Sequence, residues 1–323
     1  MPRPLMCPPE LFDLDLSHQT ALVTGANSGI GKITAQQLAI QGARVVLACR
    51  NVDQGEAVCA EIRALSPSAR VEVMQLDLAS LTAVHQFARA FLESHDSLHL
   101  LINNAGVMNT PKQQTEDGFE LQFGVNHLGH FLLTQLLLER IRQSGPARIV
   151  SVASCFHDRA MGREGDIHFN DLHFETTKYD GWKAYAQSKL ANVLFAKALA
   201  KRLEGTEVTA VSVHPGWMRT HLARHSMPQW VQNVLLRPML NIMGMIEPWE
   251  GAQTSLYAAL APEVPSLSGQ YFSQTGVYRD KKCNAGGWPL RSPNPNVNDA
   301  KAQKLWRVSE ELVKTQSAAE AAA

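Results

Sequence analysis

The sequence predicts an α/β fold, a doubly wound and mainly parallel sheet of seven strands with helices on both faces. Three observations carry this. Strand-like apolar runs recur at 20–25, 43–50, 70–77, 98–105, 147–154, 207–214 and 269–272, with helix-length amphipathic stretches between them. The run Val23-Thr24-Gly25-Ala26-Asn27-Ser28-Gly29-Ile30-Gly31 sets three glycines where the first strand turns into a helix. Gly25, Arg50, Asp77 and Asn103-Asn104-Ala105-Gly106 close the first four strands, and such sheets bind ligands at that carboxyl edge, where the strand order reverses.

The 323 residues, 45% of them hydrophobic, suffice for one large core. We read 1–18 as an N-terminal extension, 19–312 as a single domain and 313–323 as a disordered tail whose small residues, 317–323, fray. Residues 1–10 hold four prolines and no long apolar stretch, which fits neither a secretory signal nor a membrane anchor. Thirty basic residues balance thirty acidic ones, so no field attracts nucleic acid. Cys7, Cys49, Cys59, Cys155 and Cys283 are scattered without C-x-x-C spacing, which points to a reducing compartment and a cytoplasmic protein; the periphery of an intracellular membrane is the alternative.

The glycine run predicts a dinucleotide-phosphate site. Gly25 takes the tight turn, Gly29 has no Cβ to block a pyrophosphate, and Gly31 lets the helix pack closely on the sheet. Ser28 belongs to the same turn, and the free N–H groups from Ile30 onward face the phosphates. At Ala48-Cys49-Arg50-Asn51, where an NAD site places a carboxylate, Arg50 offers a planar fork for a 2′-phosphate, which favours NADP. A solvated surface arginine is the other reading. Asn27 and Lys32 are further phosphate donors, Lys32 with solvation as its alternative. Asp77, followed by Leu78, is placed against the adenine amino group, with helix capping as the alternative.

Tyr185 and Lys189, four apart, share one helix face. A free phenol titrates near pH 10, and a nearby ammonium favours its phenolate. Tyr185 then trades a proton with an alcohol or carbonyl oxygen. Ser151 and Ser154 point to opposite faces of one strand, and Ser154 lies nearer its carboxyl end. Cys155 has no base nearby in sequence. His157 either lines the substrate mouth or sits in an exposed loop. His127 and His130 lack a third ligand and read as packing or capping residues, so no metal is expected.

Thr24-Gly25-x-x-x-Gly29-x-Gly31, Asn103-Asn104-Ala105-Gly106, Asn126, Ser154, Tyr185, Lys189 and Pro215-Gly216 together resemble the short-chain dehydrogenase/reductase family, over residues 19–273. Val125-Asn126-His127-Leu128-Gly129-His130-Phe131, Ser188-Lys189-Leu190-Ala191-Asn192 and Lys304-Leu305-Trp306-Arg307-Val308-Ser309 are similar to its retinol dehydrogenase and WW-domain oxidoreductase branch. The resemblance implies a Rossmann-type fold in which Ser154 binds the substrate oxygen and Tyr185 is the general acid or base. Lys189 would hold the nicotinamide ribose and tune Tyr185, and Asn126 would keep a helix open around a water that connects Lys189 to solvent. Asn104, Ala105, Gly106, Pro215, Gly216 and Thr220 are the remaining implied cofactor contacts, Thr220 at the carboxamide.

Trp217 to Trp249 breaks the βα rhythm with a crowded apolar stretch. A substrate lid at about 217–249 is the favoured reading, beside an insertion packed on the core and a patch facing a membrane or an oligomer partner. The helix at 181–203 has apolar faces wide enough for a partner helix, so a homodimer is expected. The leading expectation is an NADP-dependent oxidoreductase interconverting an alcohol and its aldehyde or ketone on an apolar substrate: a retinoid, a steroid or a lipid-derived carbonyl. The rival is a cofactor-binding sensor or scaffold with little catalysis, and an epimerase or dehydratase ranks below both.

Overall fold

The computed structural model describes residues 3–217, 246–275 and 286–321. Nine strands and eight helices follow in order among them: β1 (Thr20–Thr24), α1 (Gly29–Ile40), β2 (Arg44–Cys49), α2 (Val52–Leu65), β3 (Arg70–Gln75), α3 (Leu81–Ser94), β4 (Leu100–Asn103), α4 (Leu121–Phe123), α5 (Gly129–Gln143), β5 (Ala147–Val152), a short antiparallel pair β6 (Arg159–Ala160) and β7 (Arg163–Glu164), α6 (Gly181–Arg202), β8 (Val208–His214), α7 (Pro248–Leu260), β9 (Tyr271–Ser273) and α8 (Asp299–Ala321).

Seven strands form one sheet in the order β3-β2-β1-β4-β5-β8-β9, with every pairing parallel. The order reverses between β1 and β4, which opens the crevice at their carboxyl ends. The inner strands are buried on both sides because both faces are covered, whereas the edge strand β3 exposes Arg70, Glu72 and Gln75. Leu22 and Leu101 face one core layer, Val23 and Ile102 the other. On one side α1 packs against α7; on the other α3 packs against α5, and α6 against α8.

The extension before β1 is docked, with Cys7, Leu11 and Leu16 buried in the core and Leu5 exchanging hydrogen bonds with the Gln274 carboxamide. Two local expectations meet a different structure. The C-terminal stretch continues α8 to Ala321 with Val313 buried, where a fraying tail was expected from 313. Sixteen of the 22 residues of α6 are buried, and α8 of the same chain covers the face that the sequence offered to a partner helix. Trp306 carries that contact, stacked on Phe195 at 5.9 Å and capped by the Arg202 guanidinium at 3.8 Å. Residues 218–245, and with them most of the expected lid and Thr220, lie outside the described residues, as does Cys283.

Candidate active site

The cofactor end is built where β1 meets α1. Gly25 and Gly29 take φ of +65° and +57°, the left-handed region open to glycine at little cost. A Cβ on Gly25 would lie 2.9 Å from Ala105 Cα, and one on Gly31 would lie 2.6 Å from the Gly25 carbonyl oxygen and collide with the Asn104 carboxamide. Thr24 ties the two turns together: its Oγ1 accepts from the N–H groups of Asn104 and Ala105, both at 2.9 Å, and its carbonyl accepts from Asn104 Nδ2 at 2.7 Å. The N-termini of α2, α3 and α6 are capped by the side chains of Asn51, Ser80 and Asp180, whereas Ser28 makes no such bond at α1. The N–H groups opening α1 therefore remain available to an anion.

Arg50 is exposed just past the end of β2. Lys32 is not a free donor: its ammonium pairs with Glu61 on α2. Asn27 Nδ2 donates to Gln54 Oε1 at 2.8 Å, so its carboxamide leans on α2. Asp77 is half-buried and accepts from Ala79 N at 2.9 Å, while Ser80 and Asp117 take the N-terminal N–H groups of α3. The Leu78 side chain is buried in the core against Gly129 and is not open to a cofactor.

At the chemical end, α6 brings Tyr185 and Lys189 beneath the end of β5. The Ser154 side chain stands near enough to the Tyr185 phenol to favour its charged form, and Lys189 Nζ stands 5.7 Å from the centre of the Tyr185 ring. Ser151 is buried within β5. Phe156 and Trp182 stand edge-on to Tyr185 at 6.1 and 6.5 Å, giving the site half-buried apolar walls. Trp217, 39% exposed, adds apolar surface just after the Pro215-Gly216 turn. Gly216 has φ of +89°, and a Cβ there would lie 2.6 Å from Ile246 Cδ1.

Burial sets the electrostatics. It raises the Tyr185 phenol above its usual value, and the nearby Ser154 side chain offsets this only in part. Burial likewise pulls Lys189 down to about 8.

Asn126 lies in a π-helical turn, Gly124–Leu128, between α4 and α5. Its carboxamide pairs with the Val107 backbone in both directions, accepting at 2.8 Å and donating at 2.9 Å, and also donates to Ser188 Oγ at 2.9 Å. Ser188 in turn donates to the Tyr185 carbonyl at 2.9 Å. A Cβ on Gly106 would lie 3.0 Å from Asn126 Oδ1 and 3.5 Å from Lys189 Nζ, so Asn104, Ala105 and Gly106 join the cofactor turn to the chemical end.

His127 and His130 are packing residues. His127 Nε2 meets Ser309 Oγ of α8 at 2.8 Å. His130 Nδ1 donates to the Asn126 carbonyl at 3.0 Å, which leaves Nε2 to accept from Thr24 Oγ1 at 2.8 Å. No cluster of His, Cys, Asp or Glu among the described residues could hold a metal ion. His157 departs from both sequence readings: it is fully buried, neither at a mouth nor in an exposed loop. Asn192 was missed as a site residue, although its place three residues after Lys189 on one helix was a usable signal.

A short chain dehydrogenase model matches residues 19–164. Mouse retinol dehydrogenase 11 (Mus musculus) is 46% identical over 302 residues, covering 93% of this chain and 88% of that one; human retinol dehydrogenase 12 (Homo sapiens) is 46% identical over 301 residues with the same coverage. Among solved structures, an uncharacterized protein from Mycobacterium paratuberculosis superposes with a TM-score of 0.71 at 34% identity, covering 93% of this chain and 95% of that one. A short chain dehydrogenase from Burkholderia cenocepacia in complex with NADP superposes with a TM-score of 0.63 at 26% identity, covering 80% and 97%. The chain belongs to the short-chain dehydrogenase/reductase family. Within it, this oxidoreductase is related to the retinol dehydrogenases.

Proposed function

We propose that this enzyme reduces an apolar aldehyde or ketone with NADPH, and runs the reverse oxidation of the alcohol, with Tyr185, Ser154, Lys189 and Asn126 as its catalytic residues. The observation that carries the reading is that Ser154, Tyr185 and the Lys189 ammonium are buried together, Nζ 5.7 Å from the centre of the Tyr185 ring. The glycine cradle, the open α1 N-terminus and exposed Arg50 fit a dinucleotide with a 2′-phosphate. When bound, the nicotinamide supplies the hydride. Ser154 donates a hydrogen bond to the carbonyl oxygen, and Tyr185 gives that oxygen its phenolic proton. A phenol raised by burial is fully protonated at neutral pH, which suits the reductive direction. Lys189 then lies beside the phenolate, and the π turn at Asn126 is the route by which a water replaces the proton.

Phe156, Trp182 and Trp217 favour an apolar substrate, and the names of the relatives favour a retinoid. The enzyme would work in the cytoplasm, with any membrane contact made through residues 217–249; among the described residues no helix is long and apolar enough to cross a membrane. The test is fluorescence titration of wild type and Arg50→Ala with NADPH and NADH, followed by NADPH oxidation with retinaldehyde, a steroid ketone and nonenal. Expected are NADPH preference that weakens in the variant, and turnover with at least one carbonyl. Preference for NADH overturns the role of Arg50, and binding without turnover overturns the enzymatic reading.

A further inference from the structure

Ser154 lies two residues past β5 in extended backbone, φ −160° and ψ 156°, and its carbonyl oxygen accepts twice from one residue: the His157 N–H at 3.0 Å and His157 Nδ1 at 2.6 Å. A carbonyl only accepts, so Nδ1 carries the proton and Nε2 is an acceptor, filled by Ser292 Oγ at 2.6 Å. Asn294 completes the arrangement, donating from Nδ2 to the His157 carbonyl at 2.7 Å and to the Gly165 carbonyl at 2.9 Å. The ring lies 4.8 Å from that of Tyr271 on β9. His157 is 0% exposed and Asn294 3%.

The stretch 292–294 thus reaches back across more than 130 residues to grip the turn that carries Ser154. We propose that His157 is a positioning residue for the reaction: the Ser292–His157–Ser154 chain of hydrogen bonds holds the peptide plane after Ser154 so that Oγ stays aimed at the substrate oxygen and at Tyr185. The inference rests on the reading of Ser154 above. A donor on one side of the imidazole and an acceptor on the other select a single tautomer and a single ring orientation. A serine hydroxyl displaced by a fraction of an ångström loses transition-state contact without losing substrate, since the apolar walls bind the rest of the molecule.

The experiment compares full-length wild type, Ser154→Ala, His157→Phe, His157→Asn and Ser292→Ala in NADPH oxidation with the fastest carbonyl of the panel above, beside NADPH titration. His157→Phe keeps a ring but no donor, and kcat is expected to fall about tenfold to hundredfold with KM and the NADPH Kd within twofold. His157→Asn puts an amide N–H near the place of Nδ1 and is expected to recover at least half of that loss on a logarithmic scale. Ser292→Ala, which removes the hydroxyl that donates to His157 Nε2 and accepts from the Asn294 N–H at 3.2 Å while keeping the bonds from His157 and Asn294 Nδ2 to the turn of Ser154, is expected to lower kcat several-fold at unchanged KM, and it decides the matter if His157→Phe does not fold. Wild-type kcat in His157→Phe or in Ser292→Ala overturns the proposal, as does a loss in His157→Phe shared equally by the NADPH Kd. Wild-type kcat in Ser154→Ala overturns the reading of Ser154 instead, and this inference with it.

Discussion

Lys189 and Asn192, three residues apart on α6, donate to one acceptor: the ammonium at 3.0 Å and the carboxamide at 3.1 Å both reach the carbonyl oxygen of Val152, the last residue of β5. The charge is held by a neutral oxygen, and among the described residues no carboxylate pairs with it. Its pKa of about 8 reflects that burial.

Lys189→Met is therefore expected to abolish turnover and to stabilise the fold. Below about pH 8 the folded chain carries a buried charge that the unfolded chain keeps in water up to about 10.5, so this group's penalty is full at pH 7 and fades as pH rises between those values. Removing it is worth on the order of 2 kcal/mol at pH 7. Chemical denaturation beside NADPH oxidation checks this, and a destabilised variant refutes it.

Four buried histidines make the fold sensitive to acid. Burial pulls His127 and His214 down to about 3 and His130 and His157 to about 4, each from about 6.5 in the unfolded chain. Between those values the unfolded chain binds more protons, so the stability present above pH 6.5 is lost as pH falls toward 4. We expect Tm to drop steeply below pH 6.5, with unfolding near pH 5 taking up at least about four protons, since His99, His168 and His173 are also lowered by burial. Tm measured against pH, with proton uptake from buffer-dependent calorimetry, decides it; uptake near zero contradicts the assignment.

Gly25→Ala places a Cβ 2.9 Å from Ala105 Cα at a φ of +65°. The left-handed strain alone costs about 1–2 kcal/mol, and relieving the clash moves the Asn104–Gly106 turn. Loss of NADPH affinity larger than the loss of stability is expected in paired titration and denaturation. Equal losses would mean the turn serves folding only.

Tyr185→Phe keeps the ring and its edge-on contacts with Phe156 and Trp182. It is expected to lower kcat about 10²- to 10⁴-fold, the usual worth of a positioned proton donor. NADPH binding should survive. Turnover close to wild type would remove Tyr185 from the mechanism.

Much of the site was legible because its signals are local. The Gly25–Gly31 spacing, the four-residue step from Tyr185 to Lys189 and the placing of Arg50, Asp77 and Asn104 at strand ends all follow from helix and strand periods. Lys32 was harder: nothing near it in sequence announces Glu61, and an early-helix lysine looks like a phosphate donor until its partner is seen. The burial of Tyr185 was hidden for a related reason: four-residue spacing shows that a cation is near, whereas the depth of burial that raises the phenol depends on every element packed above.

What the sequence determined by itself was the order of strands and helices, the parallel sheet they require and the edge at which chemistry collects, since periodicity and glycine conformations act over a few residues. Tertiary structure alone decided what those elements touch. It set α8 against α6 through Trp306, docked residues 5–7 on Gln253 and Gln274, and brought Ser292 to His157 across 135 residues. Hydrogen bonds of that range leave no periodic trace along a chain. They exist only because the sheet and its helices close the distance, and because each buried donor must then find an acceptor.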